Sequence, residues 1–111
     1  MPSCSKADVV LVAYPFTDLL TRKVRPAIVV TSPGDKYNDF FIVPMTSQTS
    51  DLQAGEFVLL NYRDYGLNVL TAIKRGCLLI DPSLVRKRIG TLDSTTFRKV
   101  YESINKWLEL E

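Results

Sequence analysis

Arginine, lysine and hydroxyl side chains are the groups of this chain whose types and spacing could support chemistry. The sequence contains no histidine, and it has neither a G-x-x-x-x-G-K-[ST] phosphate loop nor a spaced set of carboxylates for a metal ion. Arginine, lysine and hydroxyl groups suit a reaction in which a phosphate already present in the substrate is bound and its developing charge is stabilised. We therefore expect an anion site that uses no metal ion and no cofactor.

The basic residues that could form this site fall into three short groups: Arg22 with Lys23 and Arg25, Lys74 with Arg75, and the run 86–88. Arg25 precedes Pro26, which biases Arg25 toward an extended backbone at the start of a strand. The other two groups could each follow a phosphodiester backbone. The alternative for Arg25 is a structural ion pair, and for the rest a solvated face, because exposed charges are common.

A polar stretch at residues 46–51 follows an apolar run and is predicted to be an exposed loop. Thr46, Ser47 and Gln48 come first in this stretch, so a hydroxyl and an amide could lie at the end of a buried strand beside Arg25. The alternative is a simple polar turn, in which these residue types are also common.

Short β-branched and aromatic runs bounded by turn residues indicate a mainly β protein. The predicted strands are residues 7–13, 27–31, 40–44, 56–60, 70–74 and 77–80. Several short strands in a small chain favour a barrel. The connection from Pro15 to Arg25 contains Thr17 and Asp18; it is longer than a hairpin needs and is a candidate functional loop. Residues 82–85 could form a short helical turn.

The C-terminal segment changes its hydrophobic period and is predicted to be an α-helix. Its apolar residues recur three and four positions apart: Phe97, Val100, Tyr101, Ile104 and Leu108. Asp93 or Ser94 is the expected N-cap. Trp107 falls within the same stripe, so we expect it to pack in the core or at an interface.

Length and composition set the remaining bounds. With 111 residues, 46% of them hydrophobic and a net charge of +2, we expect one compact domain over residues 1–111 and no compositional signal for nucleic acid. Cys4 and Cys77 are far apart, which predicts neither a disulfide framework nor a zinc site. The apolar run near the N-terminus is too short for a signal peptide or membrane span. A cytoplasmic protein with no membrane partner is expected.

Several sequence blocks, taken in order, resemble one known family. Residues 8–12 (DVVLV), 14–18 (YPFTD) and 25–30 (RPAIVV) are similar to its opening, 43–48 (VPMTSQ) to a strand that ends in I-T-S-Q, and 88–92 (RIGTL) to its closing R-x-I-G-x-L before a helix. Gly66-Leu67 matches a further G-L pair. By these blocks, which span nearly the whole chain, the protein is identified as a member of the PemK/MazF-like toxins. The family commonly has glycine where this chain has Ala7.

The resemblance implies a small SH3-like β-barrel of the PemK/MazF/CcdB type with a C-terminal α-helix, assembled as a homodimer. It implies sequence-selective, metal-independent cleavage of single-stranded RNA, including mRNA, by attack of the 2′-hydroxyl on the adjacent phosphate. Its implied protein partner is a cognate antitoxin, with operator DNA reached only through that antitoxin.

Carried over by position, the family's catalytic arginine matches Arg25, and its catalytic threonine or serine matches Thr46, with Ser47 beside it. The expected RNA contacts surround these positions: Thr17, Asp18, Arg22, Lys23, Gln48, Lys74 and Arg75. The resemblance assigns no general acid or base, because some family members use a histidine that this chain does not have.

Two other readings stay open. The first is a gyrase-poisoning toxin on the same fold, because such relatives carry an exposed tryptophan close to the C-terminus and Trp107 lies there. The second is a barrel that binds RNA or an antitoxin without catalysis. The sequence indicates neither the RNA sequence that would be cleaved nor the identity of the antitoxin.

Overall fold

The structure is a computed structural model that describes residues 4–15, 22–33, 36 and 38–110, with the side chains of residues 14, 15, 22 and 23 left undescribed. The described part contains seven β-strands and one α-helix: β1 (Asp8–Pro15), β2 (Arg22–Val29), β3 (Phe40–Thr46), β4 (Phe57–Leu59), β5 (Thr71–Ile73), β6 (Leu78–Ile80), β7 (Val85–Thr91) and α1 (Ser94–Trp107). Two short 3₁₀ turns lie at Tyr62–Tyr65 and Pro82–Leu84. The predicted mainly β class with a C-terminal helix is confirmed.

The strands form one antiparallel sheet in the order β4-β5-β3-β2-β1-β7, with β6 also paired to β3. Within the described residues no ladder joins β4 to β7, so the sheet is not closed into the expected barrel by strand pairing. The 3₁₀ turn at Tyr62–Tyr65 packs against β7 instead. A Cβ atom on Gly66 would overlap the carbonyl of Ile89, and one on Gly90 would overlap the carbonyl of Tyr65. Two glycines thus allow a backbone-to-backbone contact at this point of the sheet.

Apolar side chains alternate along the central strands and fill both faces of the sheet. One face carries Val9, Ile28 and Val43, which pack with Val100 and Trp107 of α1. The opposite face is packed by a second cluster: Val10, Val12, Ala27, Val29, Phe40, Ile42, Ile80 and Val85. The two clusters hold the central strands rigidly, which is what a site at the strand ends requires.

Helix α1 covers the first face as its periodicity predicts. Val100 is fully buried and Trp107 is 7% exposed, and the hydroxyl of Tyr101 donates to the carbonyl of Val30 at 2.8 Å. Asp93 is the N-cap residue with an extended backbone. The predicted helix, its N-cap and the core position of Trp107 are confirmed. No helix of the described part is long and apolar enough to cross a membrane.

Strand β7 was not expected from the sequence. Only the short turn at its start was predicted, and this is the 3₁₀ turn Pro82–Leu84, where the carboxylate of Asp81 accepts from the Ser83 N–H at 2.8 Å. Residues 86–88 are three consecutive basic side chains, which conceal the alternation typical of a strand. The register of β7 with β1 also shifts twice, between Val9 and Val10 and between Leu11 and Val12. These irregularities remove the remaining period-two signal.

The first connection is also different from its prediction. β1 and β2 pair continuously from Val9 opposite Ile28 to Pro15 opposite Arg22, so the predicted loop from Pro15 to Arg25 is wrong at both ends. Arg25 lies inside β2, opposite Val12. A two-stranded ribbon can carry exposed charged side chains without losing its backbone pairing, which is why the basic residues looked like a loop. Thr17 and Asp18 lie outside the described residues.

Candidate active site

A cleft of about 690 Å³ opens at the ends of the central strands. Its walls come from β2, β3, the connection that follows β3, the segment before β5, and β7, and its lining residues include Arg25, Pro26, Thr46, Ser47, Gln48, Asn68, Val69, Lys74 and Lys87. The cleft therefore brings together residues that are far apart in the chain, such as Arg25 and Lys87, which are separated by 62 positions.

Strand register explains how Arg25 and Thr46 reach the same cleft. β2 and β3 pair with Ala27 opposite Pro44. Arg25 lies two residues from Ala27 along β2, and Thr46 lies two residues from Pro44 along β3, so both fall just beyond the last residues paired between these two strands and both line the cleft. Arg25 is exposed to solvent at this position. The structure therefore brings the predicted guanidinium and hydroxyl residues to one cleft, and their catalytic roles stay predictions.

Thr46 ends β3, and its hydroxyl is held in place by the next turn. The Thr46 Oγ1 accepts from the backbone N–H of Gln48 at 3.0 Å. This bond uses an acceptor lone pair of the hydroxyl and not its O–H donor. Ser47 and Gln48 are exposed and line the cleft beside it. Residues with hydroxyl and amide groups thus line the same cleft as Arg25.

The charged side chains that line the described part of the cleft are Arg25, Lys74 and Lys87, and all three are basic. Lys74 follows β5, and its backbone N–H donates to the carbonyl of Pro44 at 2.9 Å, which fixes it against β3. Three basic groups around one cleft raise the local concentration of anions and suit the backbone of a single-stranded nucleic acid.

Lys87 was not among the predicted RNA contacts, although it belongs to the basic run 86–88 that the sequence analysis describes. The three neighbours 86–88 have different surroundings: Arg86 donates to the carbonyl of Ser83 at 2.7 Å, and Arg88 lies 3.9 Å from the carboxylate of Asp8. Lys87 alone of the three lines the cleft. Alternation along β7 would have separated them, but that strand was not recognised from the sequence.

Arg75 was expected to contact RNA, and the structure does not bring it to the cleft. Its guanidinium donates to the Gln53 side-chain oxygen at 3.3 Å and to the carbonyl of Trp107 at 3.4 Å. Its backbone N–H donates to the carboxylate of Glu56 at 2.7 Å. Consecutive residues of an extended chain point in opposite directions, so Lys74 lines the cleft while Arg75 joins the C-terminal end of α1.

Two further predicted contacts, Arg22 and Lys23, are only partly described. The backbones of Arg22 and Lys23 lie in β2, paired with Pro15 and Tyr14, and their side chains are not described.

Trp107 is buried against Gly55 and the sheet, so it is not the exposed tryptophan of the gyrase-poisoning relatives.

The geometry of this sheet and cleft agrees with a match to a known family. Residues 5–108 match the family described as PemK-like, MazF-like toxin of type II toxin-antitoxin system. The chain belongs to this family, which confirms the resemblance seen in the sequence. No curated protein matches the chain significantly.

Solved structures of toxins share the fold. Toxin MazF-mt6 of Mycobacterium tuberculosis is 17% identical, with a TM-score of 0.74 over 94% of this chain and 98% of that one. A MazE-MazF structure from Deinococcus radiodurans is 14% identical, with a TM-score of 0.78 over the full length of both chains. An endoribonuclease in complex with its cognate antitoxin, from a mycobacterial species, is 12% identical, with a TM-score of 0.70 over 100% and 98%. At these identities the likeness concerns the fold.

Proposed function

We propose that this protein is an endoribonuclease toxin that cleaves single-stranded RNA at selected sequences without a metal ion. The observation that carries the proposal is the single cleft lined by Arg25, Thr46 and Ser47 together with basic side chains. Guanidinium, hydroxyl and ammonium donors converge there, and such donors stabilise the charge that develops on a phosphate under attack.

The proposed reaction uses a nucleophile that the RNA itself supplies. The ribose 2′-hydroxyl loses its proton, and its oxygen bonds to the adjacent phosphorus. The bond from phosphorus to the 5′-oxygen of the next nucleotide breaks, and this leaving oxygen gains a proton. The products are a 2′,3′-cyclic phosphate and a 5′-hydroxyl. The Arg25 guanidinium donates two hydrogen bonds to the non-bridging phosphate oxygens, and the Thr46 hydroxyl donates one to the same phosphate. Each such donor contributes about 10²- to 10³-fold in rate.

The test is cleavage of a defined single-stranded RNA by the purified protein in excess EDTA, with the new ends mapped chemically. We expect cleavage to persist and to give the cyclic phosphate and 5′-hydroxyl ends. The matched control substrate carries a single 2′-deoxy nucleotide on the 5′ side of the mapped site, and it should resist cleavage there. Cleavage of this control, or loss in EDTA with recovery in Mg²⁺, contradicts the mechanism.

An antitoxin partner is part of the same proposal. A cationic cleft attracts an acidic polypeptide as well as RNA, and solved structures with the same fold contain MazE with MazF or an endoribonuclease with its cognate antitoxin. Titration of a candidate antitoxin should suppress RNA cleavage at a fixed molar ratio. Operator DNA should be retained by the complex and not by this protein alone.

A homodimer is proposed as well, through an apolar patch on the sheet. Phe41 on β3 and Leu79 on β6 are cross-strand partners that are 41% and 55% exposed. Adjacent exposed apolar side chains favour a partner surface. Sedimentation at micromolar concentration should show a dimer. A 12.5 kDa monomer with full cleavage activity contradicts this part of the proposal.

A further inference from the structure

Asn68 and Val69 form a rim of the cleft, and they belong to a three-residue segment, 68–70, between two anchored residues. On one side Leu67 is 7% exposed in the core, and its N–H donates to the carbonyl of Tyr62 at 3.2 Å. On the other side Thr71 is 1% exposed. The hydroxyl of Thr71 donates to the carbonyl of Val69 at 2.8 Å. The three residues between the anchors are exposed but their backbone is held.

The entry to this rim is also fixed. Gly66 adopts a left-handed backbone with φ of 82° and lies directly against the carbonyl of Ile89 in β7. A residue with a Cβ would meet that carbonyl, so the turn can follow one path only. The rim is therefore preorganised, which is the property that a specificity-determining contact requires.

The chemistry of the rim differs from that of the rest of the cleft. Val69 is 55% exposed and apolar, and Asn68 presents an amide with two donors and one acceptor. Both line the same cleft as Arg25 and Lys74. The isopropyl group of Val69 makes no favourable polar interaction with a phosphate, but it can make van der Waals contact with the flat face of a nucleobase. An amide beside it can bond to the edge of the same base.

We propose that Asn68 and Val69 bind one nucleobase of the substrate RNA and determine which base is accepted at that position. This inference rests on the proposed function, because it assigns a base-reading role within the same cleft. The basic side chains hold the phosphates and carry no sequence information, whereas the rim contacts an unpaired base. Val69 packs on the face of the base, and the Asn68 amide pairs with its edge.

The test compares Asn68→Asp with wild type on an RNA pool of randomised sequence. Aspartate only accepts hydrogen bonds, so it favours guanine, whose Watson–Crick edge presents two neighbouring N–H donors. We expect the preference at one position to shift toward guanine by about 10-fold, the size of one good bidentate contact. Asn61→Asp is the matched control, because it makes the same charge change at an exposed residue that lines a separate hollow. Both cleaved and protein-bound RNA are sequenced.

The outcomes separate this inference from the proposed function. A shift at one position in Asn68→Asp but not in Asn61→Asp supports the base contact. An identical profile for both variants overturns it, while wild-type cleavage leaves the proposed function standing. If the wild-type protein binds RNA without cleaving it, the cleavage proposal is wrong. The sequences of the bound RNA then test the base contact. If wild type neither binds nor cleaves RNA, both proposals are wrong. Val69→Ser, which removes the apolar contact, should weaken binding of the preferred sequence about fivefold.

Discussion

Lys74 and Arg75 are neighbours in the sequence, yet they belong to two different regions of the molecule. Lys74 lines the cleft with Arg25 and Lys87. Arg75 joins the turn at Gln53 to the last carbonyls of α1, where a cation also complements the negative end of the helix. Lys74 lines a cleft, whereas the Arg75 guanidinium bonds within the helix region. Basic residues next to one another can thus serve binding and folding separately.

The largest expected effect lies in the cleft. Arg25→Ala should reduce RNA cleavage by about 10²- to 10³-fold, because it removes donors to the phosphate in the transition state. Arg98→Ala is the matched control, since Arg98 is an exposed arginine on α1 outside the cleft. Rates are measured on one RNA substrate, together with thermal unfolding of both variants. Unchanged cleavage by Arg25→Ala with an unchanged melting temperature removes Arg25 from the mechanism.

The second prediction compares the two neighbours directly. Lys74→Ala should weaken RNA binding roughly 3- to 10-fold at low salt and reduce the salt slope by about 1, because one phosphate contact is lost. Its melting temperature should not change. Binding is measured by fluorescence anisotropy across a salt series.

Arg75→Ala should give the opposite result. Loss of its two guanidinium hydrogen bonds should lower the free energy of unfolding by about 1 kcal/mol, while RNA binding and its salt slope stay at wild-type values. Urea unfolding measures the first effect and the same anisotropy series measures the second. If Arg75→Ala reduces the salt slope as much as Lys74→Ala does, the separation between the two regions is wrong.

A smaller effect is expected at the end of the sheet, far from either basic neighbour. Ala7 has a φ of 76°, in the left-handed region that favours glycine. Its N–H donates to the carbonyl of Val29, and its carbonyl accepts from Leu92, so this backbone is locked in place. Ala7→Gly should stabilise the fold by about 0.5 to 1 kcal/mol, because the release of about 1 to 2 kcal/mol of backbone strain outweighs the cost of about 0.5 to 1 kcal/mol for the added freedom of the unfolded chain. Urea unfolding measures the gain, and cleavage should not change.

The smallest effect concerns the start of α1 in acid. Hydrogen bonds from Thr96 and then from Tyr65 lower the pKa of Asp93 below its ordinary value of 3.8. A carboxyl group with a lowered folded-state pKa stabilises the fold above the unfolded-state pKa, and that contribution is lost as the pH falls through the folded-state pKa. Asp93→Asn should therefore lower the melting temperature slightly at pH 7 and make no difference near pH 2. A constant difference at all pH values contradicts this account.

Strand order explains why some of the predicted site residues line one cleft, while their roles stay predictions. Arg25 and Thr46 lie in the paired strands β2 and β3, and both line the same cleft. The sequence could not distinguish Lys74 from Arg75, because the partners of Arg75 are 22 and 32 positions away in the chain. Lys87 was missed because β7 has an irregular register. A local sequence pattern does not predict the position of a side chain whose contacts are distant in the chain.

The late position of β7 has a consequence for the time during synthesis at which the cleft is complete. This strand lies beside β1, and Asp8 accepts a hydrogen bond from Thr91, 83 positions along the chain. Contacts of such long sequence separation form only after the second partner is available. A growing chain that has exposed residues 8–84 therefore has Arg25 and Thr46 but lacks Lys87 and the outer strand. Most of the chain therefore leaves the ribosome before one complete cleft exists.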